Sequence, residues 1–132
     1  MIFVSPRLCR FFAGFSGFKN TARAVTVFPF IFVRSKTNLI PWLINHERIH
    51  LRQQMELLII VSVIIYILEF LWAFLILQLS WKDAYLWTSA EQEAYLNQNN
   101  PDYLKQRNLF KQFYYIKNKV KFSHMEGVVT RL

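Results

Sequence analysis

Among the residues of this chain, His46, Glu47 and His50 have the types and spacing best suited to chemistry. They stand in the run L-I-N-H-E-R-I-H-L-R-Q-Q over residues 43–54. On an α-helix, residues four apart lie about 40° apart around the axis, so both imidazoles leave one face, one turn apart. From there both reach a single zinc ion at about 2 Å. Glu47 is rotated by about 100° from His46, which sets its carboxylate beside the metal rather than on it. A carboxylate in that place takes a proton from a zinc-activated water, the chemistry of a metal-dependent peptide hydrolase. The bland account of the same letters is a helix whose histidines face solvent or each other.

A catalytic zinc site needs a third protein ligand and leaves its fourth position to water. Glu56 is turned about 120° from His50, and Glu69 would stand roughly 28 Å farther along a continuous helix. Neither reaches the pair unless the helix breaks. His124 reaches it only by a long return of the chain. Glu91 and Glu93 remain, and at a spacing of two they point to opposite sides of a helix, so at most one faces a metal. Glu91 has a second use, because Thr88-Ser89-Ala90-Glu91 fits a capping box in which the glutamate turns back to its own helix start. Spacing alone does not choose between these roles. Gln53 and Gln54, one turn past His50, are either supports behind the site or a polar surface turn. Tyr85, Tyr95 and Tyr103 are candidates to stabilise an oxyanion, with ordinary packing as the alternative.

Taken together, His46-Glu47-Arg48-Ile49-His50-Leu51-Arg52-Gln53-Gln54 and Glu91-Gln92-Glu93-Ala94 resemble the gluzincin-type zinc metallopeptidases. They look closer still to the small minigluzincin-like proteins. The membrane-bound CAAX-prenyl endopeptidases and antibiotic-sensor metallopeptidases carry a similar HExxH helix followed by a glutamate helix. The resemblance spans roughly residues 25–115 and implies His46, His50 and Glu91 as zinc ligands, with Glu47 as the base. It implies a zincin-like minimal core, in which the strand at residues 25–33 lies beside the active-site helix and pairs with an extended peptide substrate. Ala94 matches the alanine of the ExxAD pattern, whereas Tyr95 replaces its aspartate, a group that would support a ligand from behind. Arg48 and Arg52 stand where the stricter zincin pattern has uncharged or apolar residues. Glu93 is the alternative ligand.

The elements that must position these groups read as mainly α with a short N-terminal β element. The chain has 132 residues, 54% hydrophobic and 17% aromatic, more apolar surface than a small water-soluble globule readily hides. Neither Gly nor Pro occurs between Trp42 and Asn100, which favours long helices. Residues 1–24 read as a basic, aromatic arm, flexible or lying on a membrane surface. A signal peptide fits poorly, because Gly14 and Gly17 break the apolar part and no cleavage site stands out. Residues 25–33 are β-branched and aromatic, a strand that Pro29 confines to an edge or a bulge. Pro41 suits a helix start, with Asn38 as a cap.

Residues 57–79 are uncharged except for Glu69, and as a helix they reach roughly 35 Å, enough to cross a bilayer core. Ser62, Tyr66, Glu69 and Ala73 form one polar or small stripe on it, suited to packing against protein rather than lipid. A second helical region at 81–100, broken near Thr88, a turn at 99–102 and a basic amphipathic stretch at 103–122 complete a single domain over 25–122. Residues 123–132 form a tail. The single Cys9 excludes an internal disulfide framework.

A net charge of +8, gathered in two basic flanks around an apolar centre, suits anionic lipid head groups. No nucleic-acid recognition motif accompanies it. The leading expectation is a membrane-associated zinc metallopeptidase-like protein acting on a peptide or protein substrate. The alternatives are an inactive membrane scaffold that keeps the zincin-like helix, and a basic lipid- or nucleic-acid-surface binder.

Overall fold

The computed structural model describes residues 1–14 and 20–120. Gly17, His124 and the tail at 123–132 lie outside the described residues.

Residues 25–33 form two strands rather than one. β2 (Ala24–Val27) and β3 (Phe30–Val33) run antiparallel, with Thr26 opposite Ile31 and Val27 opposite Phe30. Phe28 and Pro29 make the turn between them. Proline has no amide to give a ladder, so the turn is where its loss matters least. On the other side of β3 lies β1 (Ile2–Val4), parallel and in register from Ile2 against Ile31. The sheet order is therefore β1-β3-β2, with β2 at an edge.

The opening residues, expected as an arm ahead of the domain, are thus built into it. After β1, α1 (Pro6–Ala13) packs on β2 and β3, its start capped by the Ser5 hydroxyl, which accepts from the Leu8 amide at 3.3 Å. Phe12 stacks on Phe32 at 5.3 Å, and Phe3 meets Phe30 edge-on at 5.6 Å. This aromatic contact is the physical reason the segment folds onto the sheet.

α2 (Pro41–Leu57) begins at proline, whose missing amide sacrifices no helical bond at that position. Asn38 does not cap it; its amide donates to Arg23 O at 3.2 Å instead. The helix ends because Leu58 adopts φ 57°, and α3 (Ile59–Leu71) starts afresh, passing into a wider π turn at Trp72–Ile76. The apolar helix expected over 57–79 is therefore shorter at both ends. Ile59–Ile76 is long and apolar enough to cross a membrane, and only 17% of it is buried in the protein. Of the inner stripe, Ser62 and Ala73 are buried and Tyr66 and Glu69 half-buried, while Ile60, Ile64, Leu68 and Leu75 are exposed.

α4 (Trp81–Trp87) and α5 (Ser89–Asn97) are separated at Thr88, which is extended at ψ 142°. The basic amphipathic stretch at 103–122 is described as far as residue 120. It holds two short helices, α6 (Tyr103–Gln106) and α7 (Gln112–Lys117), the latter packed on α5. Arg107 lies between them and turns inward, which accounts for the interruption. Two small apolar clusters hold this half together. One joins Leu86 and Tyr95 with Val120; the other joins Phe70, Ala73 and Ala84 with Leu79 and Trp87. The described residues are mainly helical with a small N-terminal sheet, which is the coarse architecture expected.

Candidate metal centre

His46 and His50 project from one face of α2, as their spacing requires. Their Nε2 atoms are 3.1 Å apart. α5 lies across α2 and delivers Glu91, whose Oε2 is 3.5 Å from His46 Nε2 and whose Oε1 is 3.4 Å from His50 Nε2. The three ligand atoms fall within 4.8 Å of one another, a spread that one metal ion can bridge. The capping box does not form: Thr88 precedes α5 without a side-chain bond to the helix start, and its hydroxyl donates to Tyr85 O at 2.9 Å. Glu91 is thereby free for the histidines.

Each imidazole is oriented from behind. His46 Nδ1 lies 3.0 Å from Gln98 Oε1, and His50 Nδ1 lies 2.8 Å from Gln53 Oε1. An amide oxygen only accepts, so both Nδ1 atoms carry protons and both Nε2 atoms face inward. Tyr95 completes the setting of His46 by meeting its ring edge-on at 4.5 Å.

Two Nε2 atoms this close need a cation between or beside them. Without metal, a proton serves. Burial alone would depress His50, but the adjacent Glu91 carboxylate outweighs it and carries the imidazole up to about 9. Burial likewise pushes Glu91 up, yet the two imidazoles bring it well below the ordinary carboxylate range. Even so, Glu91 Oε2 is buried with no hydrogen-bond partner. A buried carboxylate oxygen left so is costly, and a cation at the centre of the three groups relieves it. The donor set of two imidazoles and one carboxylate is one that zinc accepts.

Glu47 is buried beside this group. The Thr26 hydroxyl of β2 lies 2.6 Å from Glu47 Oε2 and 3.0 Å from Glu47 O, tying the carboxylate to the edge strand. Arg34 N donates to Arg23 O at 2.9 Å, so residue 23 faces β3. By period-two alternation, Ala24 and Thr26 turn their backbone groups to the open edge. Gln54 holds one end of that edge, donating to Thr26 O at 3.1 Å and accepting from Phe28 N at 2.8 Å. A cavity of about 470 Å³ runs between this strand, α2, α3 and α5. His46, Glu47, His50 and Glu91 line it together with Ala24, Tyr66 and Tyr85.

The other candidates divide. Glu93 does not face the imidazoles. It is fully buried and bound by Tyr103 at 2.9 Å, by Gln53 at 3.0 Å and by the Arg107 guanidinium. Tyr103 is thereby spent on Glu93. Tyr85 and Tyr95 line the cavity, and burial followed by the Glu91 charge keeps both phenols protonated, as donors must be. Glu56 pairs with Arg52 and Arg107, and Glu69 lies against α5, so neither approaches the histidines. Thr26, Gln98 and Arg107 were not singled out in the sequence. Thr26 is a buried residue among half-buried neighbours in a recognisable strand, but nothing local marks Gln98 or Arg107.

Comparison with protein-family models, with curated proteins and with solved structures finds no match to this chain.

Proposed function

We propose that this chain is a membrane-associated zinc metallopeptidase. The observation that carries the proposal is the meeting of His46 Nε2, His50 Nε2 and the Glu91 carboxylate, one of whose oxygens has no hydrogen bond, with the Glu47 carboxylate beside them. His46, His50 and Glu91 would hold a zinc ion, which would supply Lewis acidity and lower the pKa of a water molecule towards about 7. Glu47 accepts the proton of that water and returns it to the departing amine. Oε1 is the oxygen suited to this, since Oε2 is held by Thr26. The outward backbone groups of Ala24 and the Thr26 amide line up an extended peptide, and the Tyr85 hydroxyl donates to the oxyanion. α3 supports the membrane part of this reading, since one of its faces lines the cavity and its other face is apolar and exposed. The residue letters resemble those of gluzincins, and this reading keeps that resemblance as support.

A second reading, an inactive protein that binds metal and partners without turnover, draws on Thr26. A hydroxyl 2.6 Å from Glu47 Oε2 restrains the base.

The test is metal analysis and peptide-library cleavage by the detergent-purified chain. The expected result is one zinc per chain, lost in His46→Ala and His50→Ala, and retained in Glu47→Gln, which abolishes cleavage. A metal-free wild-type chain after zinc loading sinks both readings. Zinc without cleavage, and Glu47→Gln without consequence, selects the second.

A further inference from the structure

We infer that Gln53, Glu93 and Arg107 form a positioning relay that fixes the tautomer and aim of His50. The inference rests on the metal reading above.

The chain of contacts is directional. Gln53 Nε2 donates to Ala90 O at 3.1 Å and to Glu93 Oε2 at 3.0 Å. Both partners are acceptors, so the amide cannot be turned round without setting its oxygen against two others. Gln53 Oε1 is therefore compelled to face His50 Nδ1, 2.8 Å away, and that nitrogen is compelled to carry a proton. Only Nε2 is left for the cavity. The orientation is decided at Glu93, two residues along α5 from Glu91.

Glu93 is itself fixed. Arg107 Nε and Nη2 grip its two oxygens, Nη2 at 3.3 Å from Oε2, while Tyr103 holds Oε1. Arg107 Nη1 reaches Glu56 Oε1 on α2 at 2.6 Å, and Glu56 Oε2 accepts from Phe110 N at 3.0 Å. Gln53, Glu93 and Arg107 are each almost wholly buried. A buried charge network is an expensive way to staple helices, and apolar residues of similar volume often serve better. Apolar residues, however, cannot set a tautomer. A groups-behind-the-ligand role explains the polar choice, and such partners typically govern metal affinity by about 10- to 100-fold. His46 has a separate support in Gln98, so the relay acts on one imidazole only.

The experiment measures zinc affinity of the detergent-purified full chain by competition with a chelator, and the visible absorption of its Co²⁺ form. Gln53→Leu is expected to weaken zinc by at least about tenfold and to alter the Co²⁺ spectrum. Gln53→Glu keeps an acceptor for His50 but sets a carboxylate against Glu93, so it too weakens binding. Adding Glu93→Gln to Gln53→Glu restores a donor opposite the new carboxylate, though Ala90 O still faces it, and is expected to recover part of the lost affinity. A merely structural staple predicts variants that change thermal stability but leave the Co²⁺ spectrum as in the wild-type chain. Arg52→Ala, on the exposed side of Glu56, leaves affinity unchanged. If Gln53→Leu does not fold, Gln53→Glu with and without Glu93→Gln carries the comparison. Wild-type zinc uptake with unchanged affinity in folded Gln53 variants, or a failed rescue, overturns the relay alone. No zinc uptake by the wild-type chain overturns the metal reading, and the relay with it.

Discussion

The Glu69 carboxylate of α3 sits at the start of α5 and accepts from Ser89 twice, from its amide at 3.0 Å and its hydroxyl at 2.6 Å. Lys119 pairs with the other oxygen. The one acidic residue in the apolar helix thus satisfies donors that α5 would otherwise leave orphaned at its positive end. It also anchors the helix that carries Glu91.

Removing that carboxylate leaves a part-buried ammonium and an uncapped helix. Glu69→Leu is expected to cost about 3–5 kcal/mol, read as a lower thermal midpoint in detergent. Glu69→Leu with Lys119→Met should recover a large part of the loss. Simple addition of the two single effects would show that the pair is not coupled.

The metal-free protein has a pH dependence set by His50 and Glu91. His50 is raised to about 9, so its contribution is complete below its unfolded pKa of about 6.5 and is lost as pH rises through about 9. Glu91 is lowered, so its contribution is present above its unfolded pKa of about 4.3 and is lost as pH falls towards its folded value. Metal-free stability should therefore peak between about pH 4.5 and 6.5 and decline towards pH 9, more steeply than in His50→Gln. Identical profiles in denaturant titrations of the two chains would refute this. Zinc binding must also expel the His50 proton, so calorimetry at pH 7 in buffers of different ionisation enthalpy should show net proton release.

Gln54 protects an edge amide. Phe28 N–H, bonded to Gln54 Oε1, should exchange slowly with solvent in the wild-type chain. In Gln54→Ala it should exchange faster, with stability lowered by about 1–3 kcal/mol for two lost bonds. Unaltered exchange at Phe28 would mean that the contact does not persist in solution.

The exposed face of α3 makes a cruder forecast. The chain should pellet with membranes, resist carbonate extraction and need detergent for release. Ile64→Lys and Leu68→Lys together, on the exposed face, should weaken that retention without disturbing the buried Ser62 and Ala73 side. Recovery of the unmodified chain from the soluble fraction after lysis would count against a membrane helix.

Sequence by itself determined what is periodic or local. The helix carrying His46, Glu47 and His50, the break at Thr88, the turn near Pro101 and the apolar helix with its inner stripe follow from spacing, from Pro placement and from the 3.6-residue repeat. So does the convergence of the two imidazoles, because both lie on one helix face. Tertiary structure decided the rest. Whether Glu91 capped its own helix or met the histidines depended on how α5 lies across α2, and Glu69 helps to set that placement from far along the chain. Likewise Gln53 reads equally as a support behind the site or as a surface residue until Glu93 and Arg107 arrive from distant segments to enclose it. Side chains matched across long separations leave no period in the sequence, since their partners are chosen by packing rather than by distance along the backbone.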